Sequence, residues 1–365
     1  MNQFVASSKR LGALCIAAAC TFLVVPSLQA AVLNDGPYVT QDTATKQLNA
    51  RWICHDQLIT KQFAQDEAIK PRCGFSKAIQ VQQAIAPGWQ FTSKRWAAIS
   101  DIHGQYDLML KILQAGKVID AQGNWAFGNN QLVVVGDIMD RGDKVNEALW
   151  HVYVLQQQAK AAGGALHMLP GNHETMVLRG DLRYVHPNYQ QAATTLNTPL
   201  PALYGANTVL GAWLRQLPLF VRINDTLFVH GGISPEFAKG TESVAELQHA
   251  FAHSWGQSKD ALKQQPLANL LQTGQGPLWY RGYFSEDIPS NPTLLAEQLA
   301  RFGAKRIVVG HTTMDDVYQH HNGVVYSVDS NIKEGESGAM LHYIDGQWFK
   351  SSLDGELKPL TAASN

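Results

Sequence analysis

Gly136-Asp137-Ile138-Met139-Asp140-Arg141-Gly142 follows directly on Gln131–Val135, an apolar run of strand length. A carboxylate at the tip of a strand, a second one three residues later and an adjacent arginine, all bracketed by glycines, is more than a solvated turn requires. Loops that concentrate charge in this way on a rigid scaffold carry function.

Working outward, the same strand-then-polar-tip rhythm recurs. Trp96–Ser100 runs into Asp101-Ile102-His103-Gly104, and Ala165–Leu169 leads to Gly171-Asn172-His173-Glu174. Thr226–Val229 runs into His230-Gly231-Gly232, and Arg306–Val309 into Gly310-His311. Between them lie helical patterns. Leu108, Ile112 and Ala115 share one face that stops at Gly116, and Val145, Leu149, Val152 and Leu155 share another that stops at Gly163-Gly164. Val324–Val328 and Ala339–Ile344 read as further strands. Strand, polar tip and helix in repetition predict α/β organisation with the tips gathered at the carboxyl ends of the strands.

With 365 residues the chain has room for two domains, but no internal repeat or low-complexity linker divides it. One domain is expected over 95–350, with a turn-rich lead-in without strong periodicity over 31–94 packed on it and a tail over 351–365. Residues 242–273 read as a mostly helical insertion that could rim a cleft. A hydrophobic share of 45% excludes intrinsic disorder, and a net charge of −1 argues against nucleic-acid binding through bulk charge.

Met1–Arg10 is polar and ends in two basic residues, Leu11–Val25 is apolar, and Ala30 supplies a small residue for cleavage. This pattern predicts a signal peptide over 1–30 and a periplasmic or secreted protein. The apolar run falls short of the roughly 20 residues a bilayer span needs, so no permanent membrane span is expected. Lys9 and Arg10 are the only charges in that leader, and its removal takes the net charge from −1 to −3. Cys15 and Cys20 leave with it. The remaining pair, Cys54 and Cys73, is expected to form one disulfide in an oxidising compartment, with free thiols or a Cys/His zinc site using His55 as the alternatives.

The five tips offer Asp, His and Asn and no Cys, a donor set that suits Mn, Fe, Co or Zn. Asp101 and His103 stand two apart, so an extended strand end would aim both side chains the same way. Gly104 would then let the chain turn. His320-His321 is not expected to share a metal, because adjacent side chains on a strand diverge. Arg183 and Tyr184 could shape the cleft, with a solvated loop as the first expectation.

Taken in order, Asp-x-His-Gly, Gly-Asp-x-x-Asp-Arg-Gly, Gly-Asn-His-Glu, His-Gly-Gly and Gly-His resemble the phosphoprotein-phosphatase branch of the calcineurin-like metallophosphoesterases. Ser100 before Asp101-Ile102-His103-Gly104, the segment Gly276-Pro277-Leu278-Trp279-Tyr280-Arg281-Gly282 and the leader resemble the bacterial Shewanella-like phosphatases, of the cold-active tyrosine phosphatase type. The resemblance implies a four-layer αββα sandwich of two mixed sheets with a dimetal site at the strands' C-terminal ends. Asp101, His103 and Asp137 would hold one divalent ion. Asp137, Asn172, His230 and His311 would hold the other. A hydroxide bridging the two ions would attack phosphorus in line. His173 would protonate the leaving oxygen with Asp140 orienting it, Arg141 would clamp the phosphoryl oxygens, and Arg281 would be a second clamp. Thr313, where the wider superfamily often has a second His, fits the phosphoprotein branch.

The expected substrate is a phosphorylated protein or peptide (phosphotyrosine and/or phosphoserine/threonine) or another phosphomonoester. A hydrolase of small phosphate compounds such as dinucleoside polyphosphates is the alternative, and a non-catalytic phosphate- or metal-binding protein the remote one.

Overall fold

The computed structural model describes residues 32–42, 44–82, 88–285 and 292–360, together with Met1 and Ala362. Apart from Met1, the signal peptide expected over 1–30 lies outside the described residues. The strands run in chain order as Asp35–Asp42 (β1), Gln47–Cys54 (β2), Gln57–Ala64 (β3), Gln90–Phe91 (β4), Arg95–Ile99 (β5), Gln131–Val134 (β6), Ala165–Met168 (β7), Val221–Ile223 (β8), Thr226–Phe228 (β9), Arg306–Val309 (β10), Tyr318–His320 (β11), Val325–Ser327 (β12), Met340–Ile344 (β13), Gln347–Ser351 (β14) and Lys358–Pro359 (β15). They form two six-stranded mixed sheets, β15-β14-β13-β5-β6-β7 and β11-β12-β10-β9-β8-β4, and a three-stranded antiparallel sheet β1-β2-β3.

Alternation along the strands builds the layers. Trp96 and Ala98 on β5 and Val133 on β6 meet Val221, Ile223, Phe228 and Val308 of the other sheet in an inter-sheet core. Ala97, Ile99, Leu132 and Val134 face the opposite way and join the helical core. On that face pack the helices Tyr106–Ala115 (α1) and Val145–Ala161 (α2), the latter with buried Ala148, Leu149, Val152 and Leu155. Strands covered on both faces read as near-continuous apolar runs, which is why β6 and β10 are so visible in the sequence. Both helices stop where the apolar face stops, at Gly116 and just before Gly163-Gly164.

The lead-in departs from expectation, because it carries the β1-β2-β3 sheet. A period-two signal exists in Leu48, Ala50 and Trp52, all buried, but it is interrupted by weak strand formers. β3 is an exposed edge with Phe63 as its buried residue, so it shows no apolar face to read. The Trp150 indole of α2 donates to the Pro37 carbonyl at 2.8 Å, and Arg51 Nη1 donates to the Leu196 carbonyl at 3.2 Å, tying this sheet to the helical layer. Cys54 and Cys73 form the expected disulfide, with Cα atoms 5.4 Å apart. The insertion is helical over Val244–Ser254, Lys259–Lys263 and Pro266–Leu271. Among the described residues no helix is long and apolar enough to cross a membrane.

Candidate metal centre

Parallel pairing of β5 with β6, of β6 with β7 and of β9 with β10 brings five polar tips to one end of the sandwich. Hydrogen bonds stitch the tips together both between and within the two sheets. The His311 amide donates to Asp101 Oδ2 at 3.0 Å, and the Gly310 amide donates to the His230 carbonyl at 2.9 Å. The expected alternation does not explain Asp101 and His103. Their φ values are 52° and 47°, so a left-handed turn, not an extended strand end, brings the pair together. Asp137, Asp140, Arg141 and His311 share this conformation, with φ from 56° to 72°. Non-glycine residues held there cost about 1–3 kcal/mol each and persist where the surrounding structure over-determines them.

Glu174 does much of that determining. Its carboxylate accepts from four amides: Gly171 at 2.7 Å, Ile138 at 2.8 Å, and Asp137 and Met139 at 3.0 Å. It belongs to the first turn of the helix Asn172–Leu178 (α3) and pins the Asp137 loop to that helix. The sequence marks Glu174 within a motif but assigns it no role. Gly171 must be glycine, because a Cβ there would lie 2.0 Å from Asp137 Oδ1.

Asp137 is the hub. Its Oδ2 lies 3.1 Å from His230 Nε2, 3.7 Å from His103 Nε2 and 4.0 Å from His173 Nε2. Two sets of buried side chains, His103/Asp137/His173 and Asp137/His230/His311, have candidate ligand atoms within 4.8 Å of one another. Asp101 joins the first set at its edge, with Oδ1 3.9 Å from His103 Nε2. Its Oδ2 is occupied by the Ser100 hydroxyl at 2.6 Å. Asn172 Oδ1 joins the second set, 3.0 Å from His230 Nε2.

The donor chemistry fits divalent cations. His103 Nδ1 and His230 Nδ1 each lie 2.7 Å from a backbone carbonyl, of Met139 and Val135. A carbonyl can only accept, so both Nδ1 atoms carry hydrogen and Nε2 of each ring points inward. Asn172 Oδ1 and Asp137 Oδ2 both face His230 Nε2, so this corner must hold either a proton on that nitrogen or a cation in its place. His311 Nε2 faces the Trp279 carbonyl at 3.2 Å, which leaves Nδ1 as the ring's acceptor.

Electrostatics separates the imidazoles. Burial pushes His103 down to about 3, outweighing the pull of Asp137. Burial, His230 and Arg281 push His311 down to about 2. Burial opposes charge on His230 too, but Asp137 and Asp101 raise it to about 10. Burial would raise the Asp137 carboxyl, yet His230, His173 and His103 together hold it well below the carboxylate range. His173 lies above its ordinary value, because Asp137 and Asp140 outweigh burial. Its Nδ1 donates to Asp140 Oδ2 at 2.6 Å, which turns Nε2 toward the centre.

Arg141 and Arg281 both reach the site, in different states. The Arg141 side chain is exposed at the mouth. Arg281 Nη1 donates to the His311 carbonyl and Nη2 lies 3.4 Å from His311 Nδ1, so this guanidinium is partly committed to His311. Two further neighbours complete the site, one absent from the sequence expectations and one given there only as a second choice. Asp329, following β12, is buried near Asp101 and accepts from the Thr313 hydroxyl at 2.7 Å. The strand-then-tip rhythm extends to it, which was a usable signal. Tyr184, read as a solvated loop residue, instead packs on His173 with ring centroids 5.4 Å apart. His320 and His321 turn to different partners, the Ser327 hydroxyl and the Tyr283 carbonyl.

Two mixed sheets with this cluster at their shared end define a phosphoesterase, and the chain belongs to the calcineurin-like phosphoesterases, whose family model matches residues 94–314. It is similar over 90% of its length to the crystal structure of a cold-active protein-tyrosine phosphatase from a psychrophilic Shewanella, with 41% identity, 99% of that chain covered and a TM-score of 0.85. Shewanella-like protein phosphatase 2 of Arabidopsis thaliana is 24% identical, across 61% of this chain and 67% of its own. A symmetrical bis(5'-nucleosyl)-tetraphosphatase of Histophilus somni is 31% identical, across 42% of this chain and 53% of its own.

Proposed function

We propose that this chain is an exported phosphoprotein phosphatase whose dimetal centre favours phosphotyrosine. The observation that carries the reading is one carboxylate, Asp137, ringed by three imidazoles, one of which is locked by Asp140. Asp101, His103 and Asp137 would hold one divalent ion, with Mn, Zn, Fe or Co as candidates. Asp137, Asn172, His230 and His311 would hold the second. When bound, two such ions supply Lewis acidity, making a water acidic enough to lose its proton near neutral pH and offsetting phosphoryl charge.

The chain's own residues supply the remainder. Arg141 presents a guanidinium fork that matches two phosphoryl oxygens. Arg281 braces His311 and brings a second positive charge to the same cleft. His173, whose hold on a proton Asp137 and Asp140 strengthen, delivers the proton at Nε2 to the leaving oxygen, while Asp140 keeps Nδ1–H engaged. A protein that only bound phosphate would have no use for that acid. Export is supported by the apolar leader and by the Cys54–Cys73 disulfide, a bond suited to an oxidising compartment. The tyrosine preference is supported by the Shewanella neighbour, similar along nearly its whole length, against a tetraphosphatase that matches less than half of this chain.

A rate panel tests the reading, using a phosphotyrosine peptide, its phosphoserine counterpart and a dinucleoside tetraphosphate before and after chelation and metal add-back. The expected result is phosphotyrosine first, with activity lost on chelation and restored by metal. Preference for the dinucleotide would overturn the phosphoprotein reading. Full activity after complete metal removal would overturn the dimetal one.

A further inference from the structure

Among the described residues, few large hydrophobic side chains stay exposed, and Tyr184, at 43%, is the one that touches the centre. Its ring contacts both groups that would flank the scissile bond. The His173 ring lies 5.4 Å away at an interplanar angle of 54°, and the Arg141 guanidinium carbon lies 5.1 Å from the Tyr184 centroid. The position is braced. The Arg141 amide donates to the Tyr184 carbonyl at 2.8 Å. Arg183 also lies over the ring, at 5.5 Å, and is itself held by two bonds to Asp181, at 2.7 and 2.9 Å. Cation–π contacts of this kind hold a ring in place without burying it.

We infer that Tyr184 is a specificity-determining residue that selects an aromatic leaving group, forming the wall against which a substrate's phenyl ring packs. The inference rests on the phosphotyrosine reading above and deepens it. The oxygen that takes the proton from His173 Nε2 belongs to the leaving group. In a phosphotyrosine that oxygen is bonded directly to a ring carbon, so the ring begins one bond from the atom His173 protonates and lies beside whatever flanks that imidazole. A phosphoserine places a narrow methylene there, with little surface to offer. Aromatic rings attract one another in offset or edge-on arrangements at centroid separations of about 4.5–7 Å. A ring already fixed and partly exposed gives up little freedom when it accepts such a partner.

The test is kcat/KM on one peptide carrying phosphotyrosine or phosphoserine, for the wild type, Tyr184→Ala and Tyr184→Phe, all metal-loaded. Tyr184→Ala is expected to cut the Tyr/Ser ratio by about three- to tenfold, and Tyr184→Phe to keep it. Equal loss on both peptides would overturn the inference, because a mere prop for Arg141 would weaken every phosphate ester alike. A wild-type preference that survives Tyr184→Ala overturns the inference alone. A wild-type ratio near one overturns both the inference and the phosphotyrosine reading.

Discussion

Asp137 and Asp35 are both buried carboxylates reached by segments far apart in sequence, yet their partners differ in kind. Around Asp137 stand imidazoles whose outer nitrogens are tied to carbonyls, so their inner nitrogens converge on the carboxylate. Asp35 sits where β1 meets α2 and receives the Tyr38 hydroxyl, the Gly36 amide at 2.7 Å and Asn146 Nδ2 at 3.2 Å. Its neighbour Glu147 is raised to about 8, because burial and then Asp35 disfavour its charge. One cluster gathers acceptors and leaves them to a cation. The other satisfies one acid with neutral donors and keeps a second acid protonated. A buried carboxylate by itself therefore says little about function, and the groups facing it decide.

The sharpest way to break this contrast is Asp137→Asn, which removes the charge shared by both ligand sets. It should abolish turnover and lower metal content as measured by elemental analysis. His173→Asn should cost about 10²–10⁴-fold in kcat while retaining metal, with a smaller loss on esters whose leaving group needs no proton. Metal loss in that variant would move His173 into the ligand set, a role its place in the His103/Asp137/His173 group allows. Glu174→Gln tests the support beneath Asp137. An amide cannot accept from four N–H groups as a carboxylate does, so activity and metal affinity should fall about 10–100-fold, measured by rate and by competition with a chelator.

At the other cluster kinetics should be indifferent and stability should respond. Removing the Cys54–Cys73 bridge, which ties the end of β2 to the segment beyond β3, should cost about 3 kcal/mol in denaturant unfolding with kcat unchanged. Glu147→Gln has the smallest effect and the most specific one. In the folded chain Glu147 keeps its proton up to about pH 8, whereas the unfolded chain releases it near 4.5. The folded state therefore binds more protons between these values. This contribution to stability is complete below about pH 4.5 and is lost as the pH rises through about 8. The variant should flatten the fall in Tm across that window. An unchanged slope would show that Glu147 does not titrate there.

Much of the fold and site was legible because its residues are local in sequence. Buried parallel strands announce themselves as apolar runs, and β5, β6, β7, β9 and β10 fall within a residue of the runs that predict them. The β1-β2-β3 sheet was harder to read, since Asn49 and Ala50 are weak strand formers within the alternation of β2 and β3 is an edge with little to bury. Tyr184 looked like a loop residue because nothing in Arg183-Tyr184-Val185 reveals which ring it will meet.

What the sequence by itself determined was the inventory: five polar tips on five strands, the order of their Asp, His and Asn side chains, and a glycine wherever a backbone had to come close. Covalent order and side-chain chemistry are properties of the chain, so they can be read without coordinates. Only the tertiary structure decided how those side chains face one another. The left-handed turns at Asp101, His103 and Asp137 and the four amides gathered by Glu174 depend on chain segments that meet only once the two sheets have packed. The same holds for the contact between Tyr184 and His173. Residues distant along the chain acquire a distance and an angle only when burial of the apolar layers holds them in place.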